Sequence, residues 1–137
     1  MPDWVTNAFD AYSQRMPAHI NVELKETPVG GRSGRSEEDL LLRNAASADL
    51  VIALDESGKP WSSAELAENM EDWMQRSPHV ALLIGGPDGL SDRCKRSATA
   101  TWSLSKLTLP HGLVRVVLIE QLYRAWTILQ GHPYHRA

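Results

Sequence analysis

One cysteine, Cys94, in a chain of 137 residues rules out an internal disulfide and a cysteine-cluster zinc site. Long apolar runs are missing as well: the stretch 80–84 is far too short to cross a bilayer. No basic segment followed by an apolar stretch opens the chain, so a secretory leader is not expected and a reducing cytoplasm is the expected compartment. The pattern shows no internal repeat, low-complexity tract or linker. What is present is ordinary: 42% hydrophobic and 23% charged residues, the balance of a soluble globular protein. The length suits one domain, 1–137.

The net charge of –3 argues at first against a nucleic-acid partner. Its distribution argues the other way. Residues 1–75 hold 6 Lys/Arg and 14 Asp/Glu, a net –8, whereas residues 76–137 hold 8 against 3, a net +5. Such asymmetry points to a polyanion surface on the second half, or to segregated solvated faces.

Apolar periodicity alternates between two values. Residues 2–16 read as a helix with Trp4, Ala8, Phe9, Tyr12 and Met16 on one face. Ile20, Val22 and Leu24 alternate with polar residues as a strand does. Residues 30–34 (GGRSG) read as a flexible loop, and Ser36 as the N-cap of a helix to about Ala48. A short buried strand is expected at 50–54, then a loop at 55–61 (DESGKPW). Ser62 and Glu65 form a capping box that opens a helix through Arg76. Further expected elements are a buried strand at 80–84, a short helix at 92–98 capped by Ser91, a strand at 101–104 and a helix at 112–130. Strands alternating with helices define an α/β domain with a mainly parallel sheet flanked by helices.

In open α/β sheets ligands bind beyond the carboxyl ends of the strands. Three such ends carry unusual residues here: Leu54 before Asp55-Glu56-Ser57-Gly58-Lys59, Ile84 before Gly85-Gly86-Pro87-Asp88-Gly89, and Leu104 before Ser105-Lys106-Leu107-Thr108-Leu109-Pro110-His111. GGPDG reads either as a plain turn or as a place where backbone approaches a ligand; it lacks the Lys-Ser/Thr of a phosphate-binding loop. The run from Leu104 to Leu109 reads either as a buried crossover or as a loop that wraps an adenine with apolar side chains and reads its edge with backbone groups. The expected last helix has almost no polar side, and a subunit interface is its expected second cover. The tail from Gly131 reads as a disordered terminus or as an RNA clamp, with Arg136 on phosphate and Tyr134 stacked on a base.

Taken together, several ordered segments resemble the RlmH family. They are LLIGGPDG at 82–89, WSLSKLTLPH at 102–111, LVRV at 113–116, EQLYRAW at 120–126 and HPYHR at 132–136, with MPDWV at 1–5 and GKPW at 58–61. This family comprises 23S rRNA pseudouridine-N3 methyltransferases of the SPOUT (knotted) superfamily, and the likeness spans essentially the whole chain. It implies a C-terminal trefoil knot, a homodimer and S-adenosyl-L-methionine held in the knot, with no metal and no membrane. The cofactor contacts carried across are Leu54, Gly85 and Leu104, Ser105, Lys106, Leu107, Thr108 and Leu109. The implied substrate is N3 of pseudouridine 1915 in helix 69 of 23S rRNA on the assembled ribosome. His111, His135 and Arg136 are the expected catalytic side chains, the histidines for their pKa near neutrality. A catalytically silent RNA-binding homodimer of the same fold is the alternative, and a nucleotide-binding regulator ranks third.

The resemblance also implies a further strand ahead of the segment matching Met1-Pro2-Asp3-Trp4. A helix followed by a strand is a βαβ unit without its first β. The expectation is therefore an upstream natural start or a less stable form, with a one-strand gap or anomalous edge beside the strand at 50–54 or at 20–25.

Overall fold

The computed structural model describes residues 2–25, 37–85 and 89–136, with only the backbone of 37, 135 and 136. The expected loop at 30–34, the Ser36 cap and the middle of GGPDG (86–88) lie outside the described residues. Helix α1 spans Asp3–Ser13, α2 Glu37–Asn44, β1 Leu50–Pro60, α3 Ser63–Arg76, β2 Val80–Ile84, α4 Asp92–Ser97, β3 Ala100–Ser103 and α5 His111–Gln130. A 3-10 helix, Pro133–Arg136, follows. The fold is α/β, with three parallel strands in the order β2-β1-β3 and helices against them.

Local chemistry starts and stops these elements as the sequence dictates. The Ser62 side chain accepts from Glu65 N–H at 3.0 Å while the Glu65 carboxylate accepts from Ser62 N–H at 3.1 Å, completing the capping box of α3. Ser91 Oγ accepts from Cys94 N–H at 3.2 Å and caps α4. Gly131, at φ +68°, takes the left-handed conformation that ends α5, and the His132 amide donates to the Thr127 carbonyl at 2.9 Å. The chain then folds back along α5 instead of running on.

The main core lies between the sheet and α1, α3 and α5, built on Phe9, Ile52, Leu66, Trp102, Ile119 and Leu122. A smaller cluster on the other sheet face joins Ala45, Ala53, Leu83, Leu90 and Cys94. Burying one such side chain stabilises by about 1.5–3 kcal/mol. Helix α1 presents Val5 and Phe9 to the interior, with Met16 buried just beyond its end, while Trp4, expected on that face, is 53% exposed. The face is rotated because α1 packs across the start of α5, where Val5 lies against Gly112.

Three strand expectations are corrected. Residues 20–25 form no ladder with any described residue, although Ile20, Val22 and Leu24 stay half-buried and Asn21, Glu23 and Lys25 exposed; alternation survives without a strand partner. Residues 55–60, expected as loop, belong to β1: both Leu54 and Lys59 pair with Trp102, so Asp55 to Gly58 bulge out and the strand then rejoins β3. The strand at 80–84 is not buried throughout. Only Leu83 is, because β2 lies at the edge of the sheet.

Between the edge of β2 that pairs with no described residue and residues 20–25 runs a groove of about 1180 Å³, floored by Phe9, Met70, Leu118 and Leu122. No gap lies beside 50–54, since β2 and β3 pair with that strand on its two sides.

Candidate active site

Parallel register brings the three expected strand ends level. Leu54 pairs with Ile84 on one side and with Trp102 on the other, so Asp55, Gly85 and Ser103–Leu104 leave the sheet side by side. This is the crevice side of an open α/β sheet. Leu54 itself is buried in the core; Gly85 and Leu104 are half-buried at the rim.

Side chains tie the loops leaving these ends to one another. Asp55 accepts from the Ser57 amide at 3.0 Å and from the Ser57 hydroxyl, and meets Lys95 Nζ of α4 at 3.4 Å. Burial works against its charge, but the Ser57 hydrogen bonds and the Lys95 ammonium outweigh it and hold the carboxyl below its ordinary value. Glu56 Oε2 accepts from Thr108 Oγ1 at 3.0 Å, joining the β1 bulge to the loop after β3. Within that loop Ser103 Oγ donates to the Ser105 carbonyl at 2.8 Å, and Ser105 Oγ accepts from Leu107 N–H at 2.9 Å.

The loop is therefore not a buried crossover. Lys106, Leu107 and Thr108 are exposed, Leu107 at 74%, while Leu104, Ser105 and Leu109 are half-buried. No backbone–backbone hydrogen bond joins residues 104–109 to another described residue. The loop thus exposes apolar side chains beside backbone that is not tied into a ladder.

Gly85 also serves the packing of its own backbone. A Cβ there would sit 2.3 Å from the Gly89 carbonyl carbon and 2.6 Å from the Leu90 amide. Its missing side chain lets the loop after β2 close on its own backbone. Gly58 serves similarly in the bulge, where a Cβ would meet the Thr101 carbonyl at 2.6 Å.

His111 is the first residue of α5 and exposed, and its carbonyl accepts from Arg115 Nη1 at 2.8 Å. The backbone of His135 and Arg136 lies in the 3-10 helix, and their side chains fall outside the described residues. That helix is docked through Tyr134, whose hydroxyl lies 3.1 Å from Glu120 Oε1 and 3.4 Å from the Tyr12 hydroxyl. Arg124 grips the same Glu120 oxygen at 2.7 and 3.0 Å and stands over the Tyr134 ring at 5.3 Å. Burial, the Tyr12 hydroxyl and the Glu120 carboxylate push the Tyr134 hydroxyl well above its ordinary pKa. The Tyr134 ring meets Tyr123 edge-on at 4.8 Å, so the free stacking platform expected for a base is already engaged within the chain.

Nine residues of helix separate His111 from Glu120, roughly 13 Å at the helical rise. Within one chain, then, the structure brings the three strand ends together but anchors the tail partway along α5 from His111. The Glu56–Thr108 and Glu120–Tyr134–Tyr12 links have no local sequence signal, since the partners lie 52 and up to 122 positions apart.

A parallel α/β domain with its loops converging at the carboxyl ends is the class the geometry defines. Residues 1–135 match the family described as "Predicted SPOUT methyltransferase". The ribosomal RNA large subunit methyltransferase H of Hahella chejuensis (strain KCTC 2396) is 50% identical over 144 residues, covering 99% of this chain and 92% of its own length. The protein of the same name from Marinomonas sp. (strain MWYL1) is 48% identical, covering 99% and 93%. The chain belongs to the SPOUT methyltransferases and, within them, to the RlmH family.

Among the described residues no group of three or more His, Cys, Asp or Glu side chains is placed to hold a metal, and no helix is long and apolar enough to cross a membrane.

Proposed function

We propose that this protein is an S-adenosyl-L-methionine-dependent methyltransferase acting on N3 of pseudouridine 1915 in helix 69 of 23S rRNA, on the assembled ribosome in the cytoplasm. The observation that carries the reading is about 50% identity, over nearly the whole chain, to relatives named as large-subunit rRNA methyltransferases.

The loop after β3 fits the cofactor on two counts. Leu104, Leu107 and Leu109 supply apolar surface for an adenine, and the backbone of 104–109, which makes no backbone–backbone hydrogen bond to another described residue, offers groups to read its edge. Leu54, Gly85, Leu104, Ser105, Lys106, Leu107, Thr108 and Leu109 are the residues assigned to hold it. When bound it supplies an electrophilic sulfonium methyl. The Glu56–Thr108 bond braces the loop, so that the incoming nucleotide meets a fixed site; positioning of this kind can supply ~7–11 kcal/mol of the barrier.

N3 of pseudouridine is a weakly acidic imide nitrogen and must lose its proton. His111, exposed at the start of α5, or His135 takes that proton, a role worth ~10²–10⁴-fold. Arg136 engages RNA phosphate. The distance along α5 between His111 and the docked tail favours a site completed across two subunits. The apolar residues of α5 left half-buried in one chain, Leu113, Val116, Val117 and Leu129, support a homodimer formed on that helix. A trefoil knot formed by the loops around the cofactor belongs to the same proposal.

Labelled methyl transfer to ribosomes that carry or lack this pseudouridine tests the reading. Incorporation confined to pseudouridine-bearing 50S or 70S particles is the expected result. Cofactor binding with no transfer to any ribosome overturns it in favour of a catalytically silent RNA-binding dimer. Arg136→Ala is expected to weaken ribosome binding and leave cofactor affinity unchanged.

A further inference from the structure

Helix α5 is apolar nearly all round, yet it carries Arg115, Glu120 and Arg124 along its length. Glu120 and Arg124 stand one helical turn apart with their side chains 19% and 24% exposed. Taking such a pair out of water costs about what its attraction returns, so stability alone is a weak reason for it.

Hydrogen bonds occupy both oxygens of the Glu120 carboxylate. Oε1 accepts from Arg124 Nε at 3.0 Å, from Arg124 Nη2 at 2.7 Å and from the Tyr134 hydroxyl at 3.1 Å. Oε2 accepts from Gln121 Nε2 at 2.8 Å, and Gln121 Oε1 accepts in turn from Ser63 Oγ at the start of α3 at 2.7 Å. The carboxylate cannot turn without breaking several of these bonds, two of them charge-assisted and bidentate from one guanidinium.

The same oxygen holds the segment after α5. A single turn of 3-10 helix has poor hydrogen-bond geometry and does not sustain itself in water. The described side-chain hydrogen bonds from Pro133–Arg136 to other elements run through Tyr134, to Glu120 of α5 and to Tyr12. The Tyr134 ring adds an edge contact with Tyr123 at 4.8 Å, and Arg124 covers its face at 5.3 Å. Arg15 lies over the Tyr12 and Tyr123 rings at 5.2 and 5.7 Å and closes the cluster from the α1 side. Burial, the Tyr12 hydroxyl and the Glu120 carboxylate keep the Tyr134 hydroxyl protonated well beyond neutrality, so the bond survives across the working pH range.

We propose that Glu120 is a positioning residue: acting through the Tyr134 hydroxyl, it fixes the 3-10 helix and with it the backbone that carries His135 and Arg136. The consequence for turnover rests on the proposed reaction, in which those two residues meet the RNA. Glu120 touches neither cofactor nor base in this account. Its contribution is to hold the tail in one place before the ribosome arrives, so that the ordering is not left to the moment of reaction.

Glu120→Gln, Tyr134→Phe and the two together, made in the full chain, test it. Tyr134→Phe removes only the hydroxyl and keeps the ring, so it reports even where Glu120→Gln disturbs the fold by leaving Arg124 unpaired. In the parent, ¹⁵N order parameters for 134–136 are expected at the rigid level of about 0.85, falling below about 0.6 in either variant while those of α5 hold. The kcat for methyl transfer to ribosomes is expected to fall at least tenfold in each, with the Kd for S-adenosyl-L-methionine within twofold of the parent. The double variant is expected to be no worse than the poorer single one. Unchanged order parameters overturn the proposal. Multiplying losses in the double variant, which give Glu120 a role apart from Tyr134, or a cofactor affinity that falls in step with kcat, overturn it as well. A parent chain that transfers no methyl to any ribosome overturns the proposed function, and the order parameters then decide the anchor by themselves.

Discussion

The two sides of β1 are built to different standards. Toward β3, the ladder runs from Ile52 to Leu54, breaks for the bulge, and resumes at Lys59; Trp61 stacks on buried Trp102 at 4.8 Å, and Glu56 reaches across to Thr108. Toward β2, the ladder is continuous over five pairs, yet the strand beyond it ends in an open groove with four of its five residues half-buried. Regular pairing is thus no guide to completeness. On the irregular side Glu56 ties the bulge to the loop after β3 and Lys95 of α4 meets Asp55, whereas among the described residues nothing pairs with the outer edge of β2.

This contrast can be broken most directly by deleting equal side chains on either side. Leu66→Ala, at a position 1% exposed in the main core, is expected to cost about 2–5 kcal/mol in urea unfolding. Leu82→Ala, half-buried on β2 and lining the groove, is expected to cost about half as much, since part of its surface already meets open space. Equal losses would mean that the groove is filled in solution.

Gly58→Ala forces a Cβ against the Thr101 carbonyl and is expected to cost about 1–3 kcal/mol, with faster amide exchange at Lys59 and Trp102. Unchanged stability would show that the bulge is loose and the two sides less different than they look. Thr108→Val removes one exposed hydrogen bond to Glu56. The expected loss is about 0.5–1 kcal/mol in S-adenosylmethionine binding by calorimetry, a two- to fivefold change in Kd, with little change in melting temperature.

The smallest effect concerns Asp55. Its carboxyl is held below the ordinary value of 3.8, so the folded state gains stability from the charge above that pH and loses it as pH falls through the lower folded value. Asp55→Asn should therefore be less stable than the parent at neutral pH, with the gap narrowing in acid below about pH 4. A gap that is constant with pH would assign the effect to packing and not to the Ser57 and Lys95 contacts.

Where local chemistry decides, the sequence was legible. The Ser62–Glu65 box, the Ser91 cap and the long apolar helix ending at Gln130 are all set by residues within a few positions of one another, and each stands where expected. The three strand ends were also legible, because buried runs of β-formers ending in Gly, Ser and Asp mark them. The strand at 20–25 was not. Its alternation is real, but a strand exists only with a neighbour, and periodicity cannot report whether one is present. The bulge was hidden for the converse reason: DESGKPW has turn composition, and only its far end rejoins β3.

The candidate site divides the same way. That Leu54, Gly85 and the loop from Leu104 to Leu109 lie at strand ends follows from order along the chain. That a Cβ at Gly85 would strike Gly89 and Leu90 was not legible, since it depends on a close approach of backbone that residue type alone does not report. Tyr134 looked like a free aromatic in a tail, and became a half-buried anchor because Glu120, Tyr12 and Arg124 converge on it from two other elements.

By itself, then, the sequence determined the helices and their caps, the parallel α/β plan, the two-sided character of α5 and membership in the SPOUT methyltransferases, all of which rest on local periodicity or ordered motifs. Only the tertiary structure decided which strand lies at the edge, where the groove opens, and which carboxylate holds which loop. Those outcomes depend on contacts between residues far apart in the chain, whose energies exist only after the backbone has brought them within hydrogen-bonding or packing distance.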